Sequence, residues 1–172
     1  MSPKLRPALR LSLLTASLAA FGCGSGDPAW ELPCAERPKQ EVQVGTGDGE
    51  FIAAESGPIP IQNGSQGGQH IWVALRLHGM GPEVSMHFGI YDAKETQILY
   101  SGPLTQKATL SYNAEAEASE VTGLYGYLNY LLDPDTQMPH AGPAGKEVIL
   151  WADVFDECTD SVVHGESKGQ VQ

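Results

Sequence analysis

The chain has few of the parts that catalysis, zinc binding or nucleic-acid recognition use. It contains no Walker-type phosphate loop and no His-Glu-x-x-His pair, which removes the most direct signatures of nucleotide chemistry and zinc proteolysis. Three cysteines are present without Cys-x-x-Cys spacing, so no structural zinc frame is encoded. Lys and Arg number ten against twenty-one Asp and Glu, a formal net charge of −11. A surface of that sign repels nucleic acid and offers anionic lipid no electrostatic hold. Helical patterning is scarce as well. Only Asn113 to Glu120, NAEAEASE, has helix-forming composition, and without an apolar stripe to pack it is expected to be an exposed loop with at most one helical turn.

The N-terminus is a segment of another kind. Lys4, Arg6 and Arg10 precede an apolar run from Leu11 to Phe21, too short to span a bilayer as a stable helix but suited to a secretory signal. The run ends at Ala20-Phe21-Gly22-Cys23, and a small residue directly before a cysteine resembles the lipobox of bacterial lipoproteins. Ala20 stands where leucine is commoner in that family. The resemblance covers about the first 26 residues and implies cleavage before Cys23, acyl chains such as palmitate on its sulfur, and membrane attachment through them. Gly24 is not the acidic residue that resembles an inner-membrane retention signal in some bacteria, so the expected place is the cell envelope, at the outer membrane, facing periplasm or exterior. Removal of 1–22 takes three basic residues and no acidic ones, leaving 7 − 21 = −14.

With Cys23 lipidated, Cys34 and Cys158 are an even pair in an exported chain and read as one disulfide. It would close a loop of about 120 residues and contribute roughly 2 to 5 kcal/mol by the chain-entropy account. No thiol is then left for nucleophilic catalysis.

The clearest architectural signal runs from Gln66 to Asp92. Ile71, Val73, Leu75 and Leu77 alternate with His70, Trp72, Ala74, Arg76 and His78, and after Gly79-Met80-Gly81-Pro82 a second alternation sets Val84, Met86, Phe88 and Ile90 against Ser85, His87, Gly89 and Tyr91. A period of two marks half-buried strands. The pair forms either a hairpin in one sheet or a crossing between two. Gln66-Gly67-Gly68 is a turn or bulge rather than a phosphate loop, because no helix follows. The phrase Gln66 to Trp72 also resembles one found in uncharacterised exported bacterial lipoproteins and brings no activity with it.

Around these strands, short ones are expected at Glu41–Val44 and Phe51–Ala54 about a glycine-rich turn, and at Gln97–Tyr100, with Ser101-Gly102-Pro103 as a stop. Pro58-Ile59-Pro60-Ile61 can only be an edge strand or extended segment. Further strands are expected at Thr109–Tyr112 and at Val121–Leu132, the latter interrupted by Gly126. Glu147–Phe155 reads as a central strand covered on both faces, and Thr159–His164 as a last edge strand. The division is therefore 1–22 signal peptide, 23–40 lipidated N-terminus and tether, 41–164 domain and 165–172 polar tail. Seven to nine short strands with almost no helix define an all-β antiparallel β-sandwich, Ig-like or jelly-roll-like, with a closed barrel as the alternative.

For function, the expectation is a binding or structural role in the envelope without catalysis or cofactor. Its partners are the membrane, through the lipid, and an unidentified envelope protein or ligand, but not nucleic acid. An enzyme whose site shows no linear motif is an alternative. Copper is another: His78 with Met80 and His140 with Met138 pair imidazole and thioether in two loops that could converge. His70 and Trp72, on the outward strand face, form a sugar- or partner-binding patch, or else Trp72 is covered by a loop. Asp153, Asp156, Glu157 and Asp160, like Asp133 and Asp135, are calcium ligands or a solvated edge, the latter being the commoner arrangement.

Overall fold

Alternating apolar residues that expose one face must bury the other, and here two sheets bury theirs against each other. The computed structural model describes residues 29–65, 68–96, 98–129 and 141–172. The strands are β1 Glu41–Thr46, β2 Ile52–Ala53, β3 Gln62–Asn63, β4 Gln69–His78, β5 Glu83–Asp92, β6 Leu99–Thr109, β7 Ser111–Asn113, β8 Ala118–Tyr127, β9 Glu147–Asp156 and β10 Ser161–Gln170. One sheet runs β2-β1-β4-β8-β7 with β3 added beside β4; the other runs β10-β9-β5-β6, and every named pairing is antiparallel. The two sheets do not close on each other, so the fold is a sandwich and the barrel alternative falls. β4 and β5 lie in different sheets, which settles hairpin against crossing in favour of the crossing.

The core follows from the alternation. Ile71, Val73, Leu75 and Leu77 of β4 meet Met86, Phe88 and Ile90 of β5 and Val148, Leu150, Ala152 and Val154 of β9 in one cluster of buried side chains. Each large apolar side chain enclosed there contributes roughly 1.5–3 kcal/mol relative to exposure. β9 pairs with both β5 and β10 and is the central strand that its two-sided pattern announces. Asn113 to Glu120 is the end of β7, a tight turn and the start of β8.

Two expected boundaries shift. Ser101-Gly102-Pro103 does not stop a strand. β6 continues from Leu99 to Thr109 through a bulge, since Phe88 pairs with Leu104 whereas Ile90 pairs with Ser101, and β6 is at its sheet's edge, where a proline without N–H is tolerated. The supposed polar tail is the second half of β10. Its inner face is Val163, Gly165, Ser167, Gly169 and then Val171, of which the middle three are small residues that carry no apolar signal. The reason is close approach: a Cβ on Gly165 would stand 2.3 Å from the Val42 carbonyl oxygen, and one on Gly169 would stand 2.4 Å from Ile59 Cδ1. Ile59, between two prolines, donates its N–H to Gln170 (2.7 Å) and accepts from Gln172 (2.9 Å), so the 58–61 segment closes over this end.

The termini of the fold are tied down by polar bonds. Cys34 and Cys158 form the disulfide, with Cα atoms 5.7 Å apart. Beside it, buried Asp156 accepts from Gln40 Nε2 and the Cys158 N–H and faces Arg37. At the other end of the sandwich Asp92 accepts from the Tyr100 hydroxyl (2.7 Å) and the N–H groups of Lys94 and Glu95, with Lys146 Nζ at 3.4 Å. Burial alone would push this carboxyl up, but those donors outweigh it and hold its pKa down at about 2.

Candidate functional site

The outer face of the larger sheet carries an aromatic cluster, and its position depends on a single bulge. In the first half of β8, Ser119 and Val121 pair with Leu77 and Leu75 and face the core. Between Val121 and Leu124 the register slips by one residue, with Gly123 at φ +69° donating its N–H to the Gly47 carbonyl. A slip of one residue exchanges the faces of every side chain beyond it. Leu124, Gly126 and Leu128 therefore turn inward, and Tyr125 and Tyr127, which share the odd numbering of core-facing Ser119 and Val121, turn out.

There they stand opposite β4. Tyr127 pairs with His70 and Tyr125 with Trp72, which places four rings on one face. The His70 imidazole stacks on Tyr125 (centroids 4.0 Å, planes 23° apart) and meets Trp72 edge-on at 4.4 Å. Trp72 is also edge-on to Tyr125 at 5.4 Å, and Tyr125 and Tyr127 are near-parallel at 6.2 Å. Tyr125 is 39% and Tyr127 47% exposed. Beyond Trp72 the face continues into Arg76, which lies 4.4 Å above the Phe51 ring and pairs with Glu120 at 2.7 Å.

His70 is not the outward, open residue its alternation predicts. Only 5% of it is exposed, with the Tyr125 ring stacked on it and Trp72 against its edge. Among the described residues neither Nδ1 nor Nε2 has a hydrogen-bond partner. Burial holds its pKa below the ordinary histidine value, so the ring is neutral at pH 7. An unsatisfied buried polar group costs roughly 1–3 kcal/mol. Groups of this kind in native structures are informative because most buried polar atoms are paired.

Two hollows flank the rings. Gly64, Ser65, Gly68, His70, Tyr125 and Tyr127 line one of about 440 Å³. On the other side of the His70–Trp72 pair, a cleft of about 340 Å³ opens where β1 ends and β3 has not begun to cover β4, lined by Ile52, Ala53, Pro58, Pro60, Ile71 and Trp72 among others.

The other expected site residues fare differently. Met80 is fully enclosed in the core cluster, whereas His78 ends β4 on the opposite strand face. Met138 and His140, like Asp133, Asp135 and Cys23, lie outside the described residues. Among the described residues no three His, Cys, Asp or Glu side chains are gathered to hold a metal ion. The acids 153–160 are no uniform solvated edge: Asp156 is buried and bonded as above, and Asp153 Oδ1 lies 2.7 Å from His164 Nδ1. That contact raises the His164 pKa above its ordinary value. The letters Gly165-Glu166-Ser167-Lys168-Gly169 spell Gly-x-Ser-x-Gly, but they lie within β10 rather than at a strand-to-helix turn, and Ser167 Oγ is turned inward to Glu55 Oε1 at 3.1 Å. A serine nucleophile needs the strained, exposed elbow that this strand does not make.

Tyr125 and Tyr127 are the residues that linear reading leaves out of the site. Their i, i+2 spacing places them on one face, but which face is decided by the bulge at Gly123. Fold and site together define an all-β sandwich with an aromatic, partly hollowed outer face. No protein-family model matches the chain, and no curated protein matches it.

Proposed function

We propose that the chain is an exported, lipid-anchored protein of the cell envelope whose sandwich binds a ligand or partner through the aromatic face of its larger sheet, without catalysis. The observation that carries the reading is the gathering of His70, Trp72, Tyr125 and Tyr127 on one outer face, with two tyrosines open to solvent and a buried imidazole lacking partners. Contiguous exposed aromatic surface beside a hollow is the usual mark of a recognition site. Support for the anchor comes from cysteine parity. Of three cysteines, Cys34 and Cys158 are joined, which leaves Cys23 as the single thiol, at the end of the signal-like run.

Two measurements test this. Radiolabelled palmitate should enter the wild-type chain and not Cys23→Ser; equal labelling, or none in the wild type, ends the anchor. A photo-crosslinking amino acid placed at Tyr127 in cells should trap a bound molecule, whereas the same probe at Val162, 63% exposed on the other sheet, should not. Identical products from both positions would refute the aromatic face.

A further inference from the structure

Resting on that reading of the aromatic face, we infer that the hollow lined by Gly64, Gly68 and Tyr127 takes an uncharged pyranose ring, so that the ligand is a neutral oligosaccharide. Three observations converge. The first is the ring surface: Tyr125 and Tyr127 present near-parallel, partly exposed faces. The negative face of an aromatic ring attracts electropositive C–H groups, and one side of a pyranose is a cluster of them.

The second is the chemistry at the floor. A neutral imidazole carries one donor and one acceptor, and among the described residues both nitrogens of His70 are without partners. A hydroxyl is both donor and acceptor, so a polyhydroxylated ligand supplies what the site lacks. An acyl chain would leave the imidazole unsatisfied. An anion would need a cation, whereas the hollow is lined by Gly64, Ser65, Gly68, His70, Tyr125 and Tyr127 in a chain of net charge −11. A peptide strand would need a free sheet edge, and here β4 is paired on both sides, His70 with Gln62 and with Tyr127.

The third is access. Tyr127 rests directly on the turn: a Cβ added to Gly68 would stand 2.7 Å from its Cε2. Tyr127 is 47% exposed, so one face of its ring stays open to a ligand that enters beside Gly68. Binding then sets the sugar against the open face of Tyr127 with a hydroxyl directed at His70, both of which line the hollow. Because His70 is edge-on to Trp72 at 4.4 Å, occupancy should also alter indole fluorescence.

The test uses the full chain in a detergent without a sugar headgroup, titrated calorimetrically and by tryptophan fluorescence with chitohexaose and with cellohexaose, the two arms separating amino-sugar from glucose polymers. Saturable binding of at least one is expected, weakened about tenfold or more, the equivalent of 1.4 kcal/mol, by Tyr127→Ala and by His70→Phe. Val162→Ala should bind as the wild type does. His70→Phe is the discriminating variant, since it keeps the ring stack and removes only the nitrogens; a denaturant midpoint at or above wild type shows that it folds. Undiminished affinity in both Tyr127→Ala and His70→Phe would place the sugar elsewhere and overturn the inference. No binding of either hexaose, while the Tyr127 crosslink traps a protein, would overturn the saccharide and leave the binding face standing. Silence in both arms would end both.

Discussion

Replacing His70 by Phe should make the protein more stable, an unusual expectation for a buried residue. The phenyl ring keeps the stack on Tyr125 and the edge contact with Trp72. It removes two buried nitrogens that have no partners among the described residues, each a source of roughly 1–3 kcal/mol of instability. Allowing for imperfect fit of the larger ring, the net gain at pH 7.5 is about 2 kcal/mol. A second signature lies in pH. Burial depresses the folded-state pKa of His70, so below about 6.5 the unfolded chain binds a proton that the folded chain refuses. Wild-type stability is therefore complete above that pH and falls as pH drops from 6.5 toward the depressed folded value, by at most about 1.4 kcal/mol per unit for one group. His70→Phe lacks this loss. Urea unfolding of both proteins at pH 7.5 and 5.5, with the disulfide intact, should show the variant ahead at the first pH and further ahead at the second. His164, exposed and shifted upward by Asp153, is common to both and cancels in the difference. A variant that is less stable than wild type, with a gap independent of pH, would show that the imidazole nitrogens are satisfied in the folded protein and would remove the reason for a hydroxylated ligand.

Three further outcomes are expected. Asp92 titrates at about 2 in the fold against 3.8 as an ordinary carboxyl, so its contribution of roughly 2 kcal/mol is full above pH 4 and lost as pH falls from 3.8 toward 2. Asp92→Asn should be less stable than wild type at pH 7 and nearly level with it at pH 2, by guanidinium melts across that range; a constant gap would exonerate the carboxylate. Cys34→Ser with Cys158→Ser opens a loop with a sequence separation of 124 and should lower the unfolding free energy by roughly 2–5 kcal/mol, read by reversible urea unfolding, whereas a change below about 0.5 kcal/mol would show the cross-link to be thermodynamically idle. Gly123→Ala forces a side chain into φ +69° with its Cβ 3.2 Å from the Asp48 carbonyl and should cost about 1–2 kcal/mol while disturbing Trp72 fluorescence through Tyr125; an unchanged melt would mean that the bulge needs no glycine.

Strand existence was written in single-residue periodicity. Ile71 through Leu77 and Val148 through Val154 each carry a complete alternation that only a half-buried strand explains, and cysteine parity beside a signal-like N-terminal run was enough to pair Cys34 with Cys158. β10 was legible only in part, because its inner face is Gly165, Ser167 and Gly169. The same small residues that let the chain approach Val42 and Ile59 erase the hydrophobic signal. The site was half legible for a related reason. His70 and Trp72 announced one face of one strand, but burial of His70, its lack of partners and its stack on Tyr125 arise across strands 55 residues apart. The orientation of Tyr125 and Tyr127 turns on a one-residue slip at Gly123 that local composition does not encode. Periodicity is a property of neighbours along the chain, and so the sequence determined the strands, whereas register and bulges are set where strands meet, and so tertiary structure alone decided which rings share a surface.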